Sequence, residues 1–231
     1  MALRRRRARR DQGNTVSMMY PSSDRFDSGA PPLDASFFAR DAREVARDLL
    51  GCVVATGAGG QLCAGIVVEC EAYLGPEDPG SHAATKSPTP RNRVMYAAPG
   101  TVYVYFAYGN HHMLNLVCGP PETASAVLLR ALEPVAGLEL MAQRRGTSRL
   151  RDLCRGPGRL TEALGVTMAD NETPLEAGRI RVYAGTRREP GEIATSGRIG
   201  LSAGHEPHHR YYIADSPFVS RGRTGPARRR G

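Results

Sequence analysis

Residues Cys63 to Leu74, "CAGIVVECEAYL", alternate with a period of two, the pattern of an extended strand. Ile66, Val68, Cys70, Ala72 and Leu74 fall on one face, and Val67, Glu69, Glu71 and Tyr73 on the other. The run ends at Gly75-Pro76, a turn pair. Such a strand needs neighbours to pair with, and the chain supplies them. "GCVVAT" precedes it across the turn-rich "GAGG", and "PGTVYVYFAYGNHHMLNLVCG" reads as a β-hairpin broken at Gly109-Asn110. "SAVLLRALEP" is a short apolar strand carrying Arg130, and "IRVYAG", "GRIGLS" and "HRYYIADSPFVS" return to short strands.

Helical signals lie between these strands. Asp41 caps a segment with Val45, Leu49 and Leu50 near helical spacing, and Gly51 stands where it should stop. "VAGLELMAQRR" is helical, and "RGPGRLTEALGV" turns at Gly-Pro into a helix with Thr161 and Glu162 in its first turns. No repeat or internal linker interrupts residues 34–221. The expectation is one α+β domain over 34–221, with a curved, mixed or antiparallel sheet, flanking helices and a protruding β-hairpin. Residues 1–33 read as a disordered Arg-rich tail and 222–231 as a basic C-terminal tail.

Charge narrows the partners. The chain carries a net +8, concentrated at its ends, which suits nucleic acid, an acidic membrane surface or a merely charged tail. Nearly all of it is arginine, whose fork fits phosphate; Lys86 is the only lysine. No apolar run approaches the roughly 18 residues of a membrane span. The N-terminal arginines lead into no apolar signal segment. Five scattered cysteines form neither a zinc pattern nor a disulfide framework, which fits a cytoplasmic setting.

Against this basic background, "VVECEAYLGPEDPGSHAA" gathers Glu69, Glu71, Glu77 and Asp78 with Tyr73 and His82. Three readings stand. The glutamates could form a solvated face. Glu69, Glu71, Asp78 and His82 could hold a divalent metal for a nuclease. One glutamate could activate a water between aromatic walls supplied by Tyr73 and His82. The strand period leaves the choice between Glu69 and Glu71 open. Tyr105 and Tyr108 either pack or stack on nucleic-acid bases, as a flipped nucleotide requires. His111 and His112 are adjacent on a strand and point apart, which argues against a shared metal.

"ECEAYLGPEDPGSHA", "TPRNRVMY", "PGTVYVYFAYGNHHMLN", "VLLRALEP" and "RYYIADSPFVS" together closely resemble the alkyladenine (3-methyladenine) DNA glycosylase family, in order, over roughly residues 35–220. The resemblance implies a monofunctional glycosylase that flips an alkylated or deaminated purine out of damaged double-stranded DNA. It implies Glu71 as the catalytic glutamate, Arg130 as a residue holding the water, and Ile199 as a further water partner through its carbonyl. Tyr73, His82 and Tyr105 are the implied walls around the base, Asn115 the residue that disfavours guanine, and Tyr108 the wedge left in the duplex. No metal, cofactor or partner subunit is expected, so the protein should act as a monomer. On this reading Glu77 and Asp78 become plain turn residues. The rival readings are a metal-dependent nuclease and a non-catalytic nucleic-acid module.

Register supplies a further expectation. A two-residue turn at Gly109-Asn110 would face Asn115 away from Tyr105. Bringing both to one pocket needs an odd loop count or a bulge, with Tyr108 pushed to the tip.

Overall fold

The computed structural model describes residues 31–58, 61–85, 87–107, 109–204 and 207–222. Its strands are β1 (Val53–Ala58), β2 (Gln61–Tyr73), β3 (Val102–Ala107), β4 (His111–Cys118), β5 (Ser125–Ala136), β6 (Ile180–Tyr183), β7 (Ile193–Ser196) and β8 (Arg210–Ile213). They form one sheet in the order β3-β4-β5-β2-β1-β6, with β8 also on β2 and β7 on β8. Every pairing among them is antiparallel. The described chain is thus a single α+β domain.

The 13-residue β2 organises the sheet. One edge pairs with β5 along most of its length. The other edge pairs first with β1, from Gln61 to Ile66, and then with β8, from Glu69 to Glu71. The two glutamates therefore sit where β1 gives way to β8. Both are wholly buried, which rules out a solvated acidic face.

The period-two reading needs one correction in this strand. Pairing with β5 slips between Val67 and Glu69 and again before Cys70. The irregularity changes the phase, so Val67 joins Cys70 and Ala72 in the main core and leaves the glutamate face.

Among the described residues, five α-helices accompany the sheet: α1 (Ala35–Phe38), α2 (Ala42–Leu49), α3 (Leu138–Arg145), α4 (Leu150–Leu153) and α5 (Pro157–Leu164). Asp41 caps α2 by accepting from the Arg43 N–H, and Gly51 takes a φ of +92° just beyond its end. α2 packs on β2 and β5, and α5 on β4 and β5, enclosing a core of Leu49, Leu114, Leu129, Leu132 and Leu160. A smaller cluster holds Val94, Met95, Tyr103 and Ala126, with Tyr73 and Tyr105 packed against it. None of the described helices is long and apolar enough to cross a membrane.

Two sequence boundaries shift. β5 runs on to Ala136, so α3 starts only after Gly137. Gly137 has a φ of +71°, and a Cβ there would lie 2.2 Å from the Leu62 carbonyl oxygen, so the turn admits only glycine. "GRIGLS" is not a strand; β7 is the preceding "IATS", and only Ile199 makes a bridge. Arg198, within this segment, is wholly buried. The short helices α1 and α4 went unread, being too brief to show a period.

In the hairpin, Ala107 pairs with His111 and Tyr103 with Asn115, leaving the odd, three-residue loop that the register argument required. Tyr105 and Asn115 thus share a face. Tyr108, Lys86 and all but residues 31–33 and 222 of the expected tails over 1–33 and 222–231 lie outside the described residues. The chain is already in place at Leu33, whose N–H donates to the Val182 carbonyl at 2.7 Å. Replacing Asp41 by alanine should cost about 1 kcal/mol of stability through the lost cap. Urea unfolding measures it, and an unchanged midpoint would contradict this role.

Candidate active site

Strand alternation after the phase change puts Glu69, Glu71 and Tyr73 on one side of β2. The two carboxylates have different surroundings. Glu69 Oε1 accepts from Arg130 Nε at 2.9 Å, Arg210 Nε at 2.8 Å and Ser220 Oγ at 2.8 Å; Oε2 accepts from the Ser220 N–H at 2.6 Å. Burial works to raise its pKa, but the charges of Arg130 and Arg210 and these bonds hold it below the usual carboxylate value. Glu69 is ionised and clamped between two arginines.

Glu71 has fewer partners. Oε1 accepts from the Ile199 N–H at 2.8 Å and meets Arg130 Nη1 at 3.3 Å. Oε2 accepts only from the Tyr73 hydroxyl, at 2.9 Å, among the described residues. A carboxylate has about four lone-pair sites, so Oε2 retains room for one more donor, such as a water. Burial foremost, then the Glu71 charge, pushes the Tyr73 hydroxyl well above its ordinary pKa, so it remains a proton donor to Glu71. Burial also works against the charge of Arg130, and Glu71 and Glu69 more than offset it.

Tyr73 leads from Glu71 into a cavity it lines with His82, Met95, Tyr103, Tyr105 and Asn115. The His82 and Tyr105 rings meet edge to face at 4.6 Å, and the guanidinium of Arg91 lies 5.5 Å from the Tyr105 centroid. His82 Nδ1 lies 2.9 Å from the Tyr103 hydroxyl, which donates its own proton to the Arg91 carbonyl. Nδ1 is therefore the protonated nitrogen, leaving Nε2 as an acceptor. Burial, then the charge of Arg91, lowers the His82 pKa to about 4, so the ring is neutral at neutral pH. Asn115 donates from Nδ2 to the Tyr103 and Met113 carbonyls, which fixes its amide against β3.

Arg130 and Ile199, both in contact with Glu71, also line a groove of about 390 Å³ with Asp152, Arg155, Arg159, Ser220 and Arg221, among others. Arg155 Nε donates to the Val219 carbonyl at 2.7 Å. Burial and the neighbouring charges of Arg151 and Arg221 lower its pKa, while Asp152, which also pairs with Arg159 at 3.9 Å, works the other way.

The metal constellation does not assemble. Glu69 is held by arginines, Asp78 makes a bidentate pair with Arg198, and His82 Nδ1 faces a tyrosine. Among the described residues no three His, Cys, Asp or Glu side chains stand close enough to share an ion.

Sequence reasoning placed Glu71, Arg130, Ile199, Tyr73, His82, Tyr105 and Asn115 at one site, and the fold brings these seven together. It places the Ile199 N–H on Glu71, where the resemblance implied only the carbonyl. The reading missed Arg210, Ser220, Arg198 and the partnership of Asp78. Asp78 is not a plain turn residue. It is buried, and although burial works to raise its pKa, the hydrogen bonds and charge of Arg198 hold it below the usual value. The "DPGS" at 78–81 carried an Asx-turn signal, with Asp78 accepting from the Gly80 N–H at 2.9 Å, but nothing in it pointed to Arg198.

Replacing Glu69 by alanine leaves Arg130 and Arg210 buried without their carboxylate and should cost about 3–5 kcal/mol. Denaturant unfolding measures this, and a loss below 1 kcal/mol on the order of a surface ion pair would contradict it. His82 should titrate near pH 4 in an NMR pH series, whereas a midpoint near 6.5 would contradict its burial beside Arg91. Because its folded pKa is depressed, its contribution to stability should fall as pH drops from about 6.5 toward about 4.

The sequence profile of the methylpurine-DNA glycosylase (MPG) family matches residues 36–217. A Rhodopseudomonas palustris protein is 44% identical over 201 residues, covering 87% of this chain and 94% of its own. One from Bradyrhizobium diazoefficiens is 45% identical over 190 residues (82% and 91%), and one from Chlorobium luteolum 44% over 192 (83% and 97%). All three are provisionally named 3-methyladenine DNA glycosylases. With a family profile spanning the domain and relatives this similar along nearly their whole length, the chain belongs to the methylpurine-DNA glycosylase family.

Proposed function

We propose that this protein is a monofunctional DNA glycosylase that hydrolyses the N-glycosidic bond of alkylated or deaminated purines flipped from duplex DNA. The observation that carries the reading is the placement of Glu71. It joins an aromatic cavity at Tyr73 to an arginine groove at Arg130 and Ile199, and one lone-pair site on Oε2 stays open.

Cleaving the bond builds oxocarbenium-like positive charge on the sugar. The Glu71 carboxylate stabilises that charge and takes a proton from the attacking water on Oε2. Arg130 and the Ile199 carbonyl help hold the water. The damaged base sits among Tyr73, His82 and Tyr105, whose aromatic faces favour a cationic alkylpurine. Neutral His82 adds no repulsion. Asn115, fixed by its two main-chain bonds, crowds the exocyclic amine of guanine. Tyr108 fills the gap in the duplex.

The arginine groove fits the phosphates of the strand that carries the lesion. Arginine forks match phosphate oxygens, and Arg155, Arg159 and Arg221 outnumber the one carboxylate in the groove lining, Asp152. The enzyme acts as a monomer and needs no metal. Lys86, the only lysine, stands in the polar sequence "TKSPTP", and this scarcity of amines for a Schiff base supports a purely hydrolytic reaction that leaves the abasic strand uncut.

Glu71→Gln should abolish single-turnover base release while lesion-duplex affinity changes little; retained excision would overturn the catalytic reading. Neutralising Arg155 and Arg159 together should reduce the slope of log K against log[salt] by about 2, near 0.9 per phosphate contact. An unchanged slope would place the DNA elsewhere.

A further inference from the structure

Arg198 and Asp78 lie outside the residues assigned to chemistry, yet they touch the parts that hold Glu71. Arg198 Nη1 and Nη2 donate to Asp78 Oδ2 and Oδ1, both at 2.5 Å. The remaining donors are also committed: Nη1 reaches the Ala72 carbonyl at 3.0 Å, and Nη2 the Gly204 carbonyl at 2.6 Å. The guanidinium lies 4.6 Å from the Tyr73 ring centroid, and the side chain is wholly buried. Asp78 in turn accepts from the Leu74 and Gly80 N–H groups.

These contacts meet at Glu71 from two directions. Ala72, whose carbonyl Arg198 holds, directly follows Glu71 in β2. Tyr73, whose ring Arg198 covers, donates its hydroxyl to Oε2. Ile199, directly after Arg198, donates its N–H to Oε1. Every hydrogen bond to the Glu71 carboxylate among the described residues is thus made by Ile199 or Tyr73, and Arg198 adjoins both.

We propose that the Asp78–Arg198 ion pair is a positioning device for the hydrolysis, setting the Glu71 carboxylate by locking the Tyr73 hydroxyl and the Ile199 N–H onto its two oxygens. This rests on Glu71 being the catalytic carboxylate. A buried ion pair is a weak source of stability, since a well-packed neutral replacement is often as stable. Geometry is its better use here. A bidentate fork with further bonds to two carbonyls holds a plane, which lysine and glutamine cannot do.

The test uses the full chain in two variants. Arg198→Lys keeps a cation beside Asp78 but loses the fork. The double variant Asp78→Asn/Arg198→Gln removes both charges together, so neither is left unpaired. Thermal unfolding first establishes which variants fold. In folded variants, single-turnover release of 7-methylguanine should slow by about 100-fold, the scale of losing one preorganised donor, while duplex affinity changes little. The other groups facing Glu71, namely Arg130 from β5 and Glu69 on its own strand, are untouched by these variants.

Wild-type rates in either folded variant, slower rates with duplex affinity lost in step, or failure of both variants to fold would overturn the proposal and leave the pair a purely structural one. Glu71→Gln is run in parallel. If it excises normally, the catalytic reading of Glu71 itself falls. If it is inactive while a folded Arg198 variant matches wild type, only the positioning role falls.

Discussion

The structure turns on burying two carboxylates side by side on one strand. Taking a charge out of water costs several kcal/mol per ion unless it is paired and hydrogen-bonded. Glu69 and Glu71 are both wholly buried, so the surrounding chain must supply donors. Those donors come from far along the sequence: Arg130 from β5, Arg210 from β8, Ile199 after β7 and Ser220 near the end of the described chain. β2, β5 and β8 are hydrogen-bonded neighbours at this point, so the sheet topology and the electrostatics answer the same demand.

The same accounting separates two residues that look alike. Glu69 has donors on every side and serves as the anchor between β2, β5, β8 and the C-terminal segment. Glu71 is held firmly enough to stay in place, yet its Oε2 is not saturated. Glu69 Oε2 also has a single donor, the Ser220 N–H, so the two carboxylates differ in what surrounds them. Glu69 is clamped between Arg130 and Arg210, whereas Glu71 is bonded to Tyr73, which lines the aromatic cavity.

Much of this was legible in the sequence. The period of two put Glu71 and Tyr73 on one side of a strand, and the odd loop between Ala107 and His111 follows from asking Tyr105 and Asn115 to share a face. Asp41 announced its helix. Local patterns of this kind depend on neighbours within a few residues. The missing parts are long-range: Asp78 meets Arg198 across 120 positions, and Ser220 meets Glu69 across 151. No local signal pairs a particular arginine with a particular aspartate. The phase change after Val67 was hidden for a related reason, since it depends on how β5 pairs with β2. The choice of Glu71 over Glu69 came from family resemblance at first, and the donor pattern now gives it a physical basis.

The central claim is that this site hydrolyses a glycosidic bond, with Glu71 as its base and no metal. The most direct measurement is base release from a duplex carrying a single 7-methylguanine, made in excess EDTA, with the strand analysed before and after hot alkali. The account predicts free 7-methylguanine and a strand that breaks only after alkali. Intact lesion, or strand scission that EDTA abolishes, would contradict it.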